Sequence, residues 1–535
     1  MSGLSLEDSI EGLKGFADLL SNDAIEPAER ANVSKGAARA ASVLRAAVQG
    51  ALAAFEPARI HDLREAVTLE ALFVCLGDPA YIAGPEVAEL IFDFAKAVPP
   101  AKLLQEPFST YLLKGLSAQS ELPLRLVLRV MRLAVGEESN VTLLLSSGGR
   151  TDLIVPVVGV LGLPSVSLAD EAADAIKRMA AFPASARLFE DPFRSVLQRA
   201  MRKSETVQHR ILELMADLAH HPHLTALVAQ QYLVSRKDIE QTDPLALMSA
   251  IVIAGMFARG SLWPELCARG VPDAIAGHLE ISDMSDADMI EVLVAQRALQ
   301  FFADLETARL TQYEGADRVA VAAAAYLQSE NGDLVEAAVA FAGHVGAKPA
   351  GIVWLSNAGL LNGLAEVAGS PRCKGELRSL VYSALHTIIL GAYGADSGSS
   401  EAERIVRDLV DVVAAGGDDR RPLCARLIQE RDVEVRVPAY SVLQALAAFT
   451  WGRVMMINTA NFFTHLFDRG REATPIGRQA QFSVVLALFG GDFTRNEEMR
   501  ALPEELRAAG TRYVGDGPNF VQSAGAQPVV GGAFL

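Results

Sequence analysis

The stretch from Gly149 to Gly270 constrains this chain more than any other, because it writes one pattern three times. Each copy opens at a loop: Ser146-Ser147-Gly148-Gly149, then Glu190-Asp191-Pro192, then Gln230-Gln231-Tyr232. A short apolar helix follows, as in Leu153-Ile154-Val155-Pro156-Val157-Val158 or Phe193-Arg194-Ser195-Val196-Leu197. Next comes a longer amphipathic helix, as in Glu205 to Ala219, and a brief helix such as Leu224 to Gln230 closes the copy. The openings lie about 40 residues apart, and only helical periodicity fills the intervals. One copy alone cannot bury both faces of its helices, so neighbours must stack to make a core.

The pattern extends in both directions. Upstream, Phe108 to Leu116 and Leu122 to Val135 form a helix pair. Downstream, Val271-Pro272, Gly315 and Gly359 open further copies, with long helices at Asp286 to Asp304, Asp333 to Gly346 and Lys374 to Leu390. The last clear repeat spans Glu434 to Phe449, Trp451 to Ile457 and Phe462 to Arg469, and Gln481 to Phe489 is the final strongly apolar helix. The expected fold is all-α: an armadillo/HEAT-like right-handed helical solenoid of about eight to ten repeats. Residues 1–100 read as an irregular helical N-terminal cap, with a second helix from Ala37 to Phe55. Residues 101–490 read as the repeats, and 491–535 as a C-terminal tail packing on the last repeat. Past about Gly510 the composition turns to Gly, Pro, Ala and Val, with too little helical pattern to form a repeat. Gly391–Glu401 and Gly416–Pro422 interrupt the pattern as surface loops. A length of 535 residues suits a solenoid, whose core grows with repeat number, better than one globular core.

Composition narrows the function classes. A formal charge of −17 argues against nucleic acid as the main partner and favours basic protein surfaces. Cys75, Cys267, Cys373 and Cys424 lie far apart with no C-x-x-C pair, as a reducing compartment permits. The first residues carry Glu7, Asp8 and Glu11 and lack a basic start followed by an apolar run, so no signal or transit peptide is expected. Leu153–Leu163 and Leu245–Ala258 are too short to span a bilayer. The sequons at Asn32 and Asn140 are therefore expected to stay unmodified. These features point to the cytoplasm and are compatible with the nucleus.

No catalytic constellation stands out. The chain lacks G-x-x-x-x-G-K-[ST], G-x-G-x-x-G opening a βαβ unit, H-E-x-x-H and G-x-S-x-G. His220, His221 and His223 invite a metal reading, but Pro222 sits at a helix end and no Cys or carboxylate completes a tetrahedral set. No enzyme activity, cofactor or metal is expected. Arg125, Arg129 and Arg132 form a basic stripe read as a solvated face, and Glu280, Asp283, Asp286, Asp288 and Glu291 form an acidic cluster that is partly helix capping.

The informative candidate comes from repeat geometry. In armadillo-like repeats the long third helix lines a concave surface, and its inward positions are the polar or bulky ones four apart. That register gives a protein-binding ladder of Asp174, Arg178, Glu213, Asp217, Val252, Met256, Arg297, Phe301 and His344, preceded by Arg132. Its mixed charge and central apolar patch suit a folded protein surface. An extended-peptide groove would carry W-x-x-x-N on successive third helices, whereas Trp263, Trp354 and Trp451 fall outside them.

Several segments carry a closer resemblance. Phe193 to Leu197 leads into Val207-Gln208-His209-Arg210-Ile211-Leu212-Glu213-Leu214; Ala447-Ala448-Phe449-Thr450-Trp451-Gly452-Arg453-Val454-Met455 leads to Phe462 and Asp468-Arg469. The most specific is Arg512-Tyr513-Val514-Gly515-Asp516-Gly517-Pro518-Asn519-Phe520-Val521, in a tail ending Val529-Val530-Gly531-Gly532-Ala533. From about Leu103 to Gly525 the chain resembles the 26S proteasome non-ATPase regulatory subunit 5 family of armadillo-like assembly chaperones. The first 100 residues match poorly, and the Gly391–Glu401 loop stands as an addition. The resemblance implies a non-enzymatic chaperone for the proteasome regulatory particle base. Its implied partners are the C-terminal domain of a proteasomal ATPase subunit and other base precursors, with no nucleic acid or membrane. A generic armadillo/HEAT adaptor in transport or signalling is the alternative, and an enzyme with a cryptic site is a third reading.

Overall fold

Helix capping and apolar spacing fix the repeats one at a time. In the helix Glu205–Leu218 the Ser204 hydroxyl accepts from the Val207 amide at 3.2 Å, satisfying a donor that the first turn would otherwise leave unpaired. Val207, Ile211, Leu214, Met215 and Leu218 then recur at helical spacing and are buried. Asp288 and Glu291 make a reciprocal capping box at the head of Met289–Ala303.

The structure, a computed structural model, describes all residues except 1–4, 22–25, 55, 77–83, 119, 147–148, 282–283, 285–287, 394–398, 417–420, 491–492, 494–495 and 517–535. The described residues form helices and connecting turns without a β-strand, in an armadillo/HEAT-like solenoid. Their contacts define two units: Met1–Leu233 with Met256–Glu265, and Val234–Gly255 with Leu266–Leu535.

In the first unit the long helices α1 (Pro27–Ala53), α2 (Gly84–Lys96), α3 (Glu121–Ala134), α4 (Val166–Met179) and α5 (Glu205–Leu218) pack each against the next. A second row runs behind them through Phe108–Leu116, Thr151–Val160 and Phe193–Met201. Glu138–Leu145, the 3₁₀ turn Pro183–Phe189 and Pro222–Tyr232 make a third. The repeats built on α3, α4 and α5 therefore each contribute one helix or 3₁₀ turn to each row. The second unit stacks α6 (Met289–Ala303), α7 (Gly332–Val345), α8 (Gly375–Gly391), α9 (Val433–Ala447) and α10 (Pro475–Phe489), and α11 (Glu504–Asp516) closes against α10. Ala316–Leu327, Leu360–Gly369 and Ser399–Ala415 run behind.

Hydrogen bonds between successive repeats repeat the sequence period. Gln231 donates to the Phe189 carbonyl and Ser261 to the Ala219 carbonyl, both across 42 residues. In the second unit Tyr326, fully buried, donates to the Leu279 carbonyl at 2.6 Å across 47 residues. The phenol is thereby satisfied where an unpaired one would be costly.

Both ends carry more helix than the sequence pattern assigns. α1 begins at Pro27 rather than Ala37, because proline's fixed φ suits the first helical position. α2 buries Val87, Leu90, Ile91 and Phe94, so the first 100 residues already contribute to the long-helix row. At the other end α11 continues through Gly510 to Asp516. A Cβ on Gly510 would stand 2.5 Å from the Phe489 ring, so the missing side chain admits α11 against α10. Tyr513 packs there, 5.9 Å from Phe467 and 6.4 Å from Phe482 between ring centroids. Pro518, Phe520 and Val521, with 394–398 of the Gly391–Glu401 loop and 417–420 of the second interruption, lie outside the described residues. No helix among the described residues is long and apolar enough to cross a membrane.

Candidate protein-binding face of the long helices

Along the exposed side of the long helices in the first unit, charges of opposite sign face one another from repeat to repeat. Asp93 on α2 is buried, and accepts from Arg45 of α1, Gln49 of α1 and Lys96 at 3.1, 3.1 and 2.8 Å. Its neighbour one turn earlier, Glu89, binds Arg45 at 3.1 Å and Arg129 of α3 at 2.5 Å. Arg125 of α3 approaches Glu171 of α4 at 3.4 Å, and Arg132 reaches Asp174 at 3.3 Å. Lys177 of α4 pairs with Asp217 of α5 at 2.5 Å. The expected solvated arginine stripe is therefore a brace: Arg129 points back to α2, while Arg125 and Arg132 point forward to α4. Helical spacing alone aligned these arginines, but the acids opposite them come from repeats about 40 residues away.

The ionisation of these groups reflects their surroundings. The hydrogen bond from Arg129 holds Glu89 below its ordinary 4.5; burial opposes this, and the charges of Arg129 and Arg45 assist it. Burial pushes Glu171 the other way, against the lowering influence of Arg125, Arg129 and Arg132. One Glu171 carboxylate oxygen is buried without a hydrogen-bond partner. Lys177 is raised above its usual value by its hydrogen bond to Asp217, with burial opposing.

The ladder residues of this unit are placed as follows. Leu212, Leu214 and Leu218 are buried, Glu213 is exposed and Asp217 is half-buried on α5. Asp174 and Arg178 are exposed on α4, and Arg178 donates to the Arg132 carbonyl at 3.3 Å. Met256 is half-buried.

In the second unit Val252 is half-buried, and Arg297 on α6 and His344 on α7 are exposed. Phe301 is not presented. It is 3 % exposed, packs edge-on to Phe302 at 5.0 Å, and lies 3.8 Å from where a Cβ on Gly255 would stand. The exposed line of α6 runs through Leu293, Arg297 and Gln300, spaced i, i+4, i+7, and at 100° per residue Phe301 falls to the core side of it. Beside that line a groove of about 250 Å³ opens between α6 and α7, floored by Ala337 and Ala340 and edged by Gln296, Gln300, Glu336 and, from α8, Leu380. Burial raises Glu336 above the usual carboxylate value, and Glu376 and Asp333 add to the effect. With one carboxylate and two carboxamides on an otherwise apolar lining, the groove has the polar groups to meet an amide or basic side chain of a protein surface.

The other sequence candidates have structural roles. His223 meets the buried Ser185 hydroxyl at 3.1 Å. Glu280 binds Arg318 at 2.7 Å and Asp288 and Glu291 cap α6, while Asp283 and Asp286 lie outside the described residues. Asn140 is buried and donates to the Ala134 carbonyl at 2.7 Å. Sequence reasoning missed Glu89 and Asp93. Their signal was available: two acids four apart in α2, Glu89 just before and Asp93 within the apolar run Leu90-Ile91-Phe92-Asp93-Phe94.

No curated protein matches the chain. Among solved structures it is similar to an engineered protein at a TM-score of 0.35 and 15 % identity, covering 89 % of this chain and 98 % of that one. A designed armadillo repeat protein in complex with the peptide (KR)4 is similar at 0.36 and 15 %, covering 47 % and 97 %. Kap121p bound to Nup53p is similar at 0.50 and 11 %, covering 95 % of this chain and 52 % of Kap121p, about half that protein's length. These likenesses concern the fold alone. In sequence, residues 422–530 match the family described as proteasome non-ATPase 26S subunit, a stretch that begins just before the helix Leu423–Ile428 and takes in α9, α10 and α11.

Proposed function

We propose that this protein is a non-enzymatic assembly chaperone for the proteasome regulatory particle base, capturing the C-terminal domain of an ATPase subunit on its long-helix face. The observation that carries this reading is the family match at residues 422–530. It falls on the closing repeats, where Arg436 and the buried Glu472 pair at 3.2 Å and Tyr440 donates to Glu472 at 3.0 Å. An armadillo/HEAT-like solenoid supports a scaffold, because stacked repeats offer a long exposed face to a folded partner. The face alternates acidic and basic groups with few large apolar anchors, which suits reversible capture better than a permanent interface. This reading places the protein in the cytoplasm, and the nucleus is the second compartment to examine.

Affinity capture of the full chain from cells, with mass spectrometry of the co-purifying proteins, tests it. Proteasomal ATPase subunits without the proteolytic core are the expected companions. Transport or signalling proteins in their place would favour the generic adaptor.

A further inference from the structure

A cavity of about 650 Å³ within the second unit has a charge opposite to that of the chain. Lys374, Arg378, Arg421, Arg426, Arg431 and Arg471 line it, against one carboxylate, Glu430, in a protein whose formal charge is −17. That carboxylate is already engaged. One oxygen meets Arg378 at 3.4 Å, and the other accepts from the Arg431 and Asp432 amides at 2.8 and 3.2 Å. Among the described residues Lys374 and Arg431 make no ion pair.

Backbone carbonyls hold the deeper guanidinium groups in place. Arg378 donates to the Cys373 carbonyl at 2.8 Å, and Arg426 to the Val413 and Ala414 carbonyls at 2.6 and 3.3 Å. Arg471 donates to the Glu430 carbonyl at 3.5 Å. A carbonyl orients a guanidinium without neutralising it, so the positive charge stays directed at the cavity. The Nε atoms of Arg426 and Arg471 are buried without a hydrogen-bond partner. One wall is formed where Gly369 and Gly416 meet: a Cβ on Gly369 would stand 2.7 Å from the Gly416 carbonyl oxygen.

From this geometry we propose that the cavity binds a small polyphosphorylated anion. Fixed arginine forks match phosphate oxygens two at a time, and several fixed cations require several anionic charges to balance them. The volume falls in the range of small-molecule sites. Apart from Tyr382, Pro371 and Ala368 the lining offers almost no apolar anchor, which disfavours a peptide held by its side chains. The site belongs to the closing repeats, where Arg378 and Tyr382 reach it from α8.

Titration calorimetry on the full chain in physiological salt tests the proposal, with inositol hexakisphosphate, inorganic phosphate and an oligoglutamate peptide as probes. Inositol hexakisphosphate should bind saturably at one site, at least about tenfold tighter than inorganic phosphate or the peptide, and weaken as salt rises. Lys374→Glu with Arg431→Glu changes two exposed side chains, so folding should be preserved, and affinity should fall at least about tenfold. No saturable binding of inositol hexakisphosphate by the folded wild type would overturn the proposal. So would undiminished binding by the folded double variant, or tighter binding of the acidic peptide.

Discussion

The guanidinium of Arg129 lies 3.9 Å from the centroid of the Phe92 ring while donating to Glu89 one turn away. Arg129 thus grips α2 through both a ring face and a carboxylate, and it is the pivot of the charged ladder joining α1 to α5. Both members of the ion pair are about one-third exposed or less, so solvent screens the pair only partly. A double-mutant cycle with Arg129→Ala and Glu89→Gln, read by chemical denaturation, should give a coupling of about 1 kcal/mol.

Acidification should separate two glutamates of the same ladder. The folded pKa of Glu89 is below its ordinary 4.5, so its contribution is present above 4.5 and is lost as pH falls through the depressed value. Glu171 has the opposite sign: its folded pKa is above 4.5, so its favourable contribution is complete below 4.5 and is lost as pH rises through the raised value. Thermal unfolding should find Glu89→Gln destabilising at pH 7 and nearly neutral at low pH. Glu171→Gln should raise the melting temperature at pH 7 and leave it unchanged below 4.5.

The C-terminal closure gives a third test. Arg469 stacks on Tyr513 at 4.2 Å and donates to its carbonyl at 3.2 Å, and Tyr513 is 8 % exposed. Tyr513→Ala should therefore cost about 1.5–3 kcal/mol. Gly510→Ala should also destabilise, through its contact with Phe489, and the melting temperatures of the two variants measure both effects.

Breaking the buried pair between α9 and the segment before α10 should cost more. Arg436 and Glu472 side chains are 12 % and 1 % exposed, and Tyr440 depends on the same carboxylate. Glu472→Ala should destabilise by about 3–5 kcal/mol, because it leaves a cation desolvated and a phenol unpaired. Equilibrium unfolding in urea is the measurement.

Much of this architecture was legible in the sequence, and the reason is periodicity. Leu212, Leu214 and Leu218 could be assigned to the core from spacing within one helix. Arg129 could not be assigned to Glu89 in that way, because the partner belongs to another repeat and its side chain is fixed only by stacking. Phe301 shows the angular limit of such reasoning: four residues from Arg297 is 40° around the helix, enough to turn an aromatic into the core. α11 was hidden because Gly510 lowers helix propensity locally, while its value lies in a close approach that only tertiary structure reveals. The basic cavity draws on segments from Lys374 to Arg471, a separation that no local pattern encodes.

The proposed capture of a proteasomal ATPase domain on the long-helix face can be measured by surface-plasmon kinetics with a recombinant ATPase C-terminal domain. Glu213→Lys should slow association and blunt its salt dependence, since exposed charges steer encounter, whereas Asp217→Lys also breaks the pair with Lys177 and is read together with its melting temperature. Met256→Ala should chiefly speed dissociation. Phe301→Ala is expected to lower stability by about 3–5 kcal/mol, because the ring is buried, and so belongs with the unfolding experiments. Saturable binding by the wild type, with these rate changes in folded variants, is the predicted result. Absence of binding to any proteasomal ATPase domain, or binding with rates untouched by every exposed substitution on the face, would contradict the account.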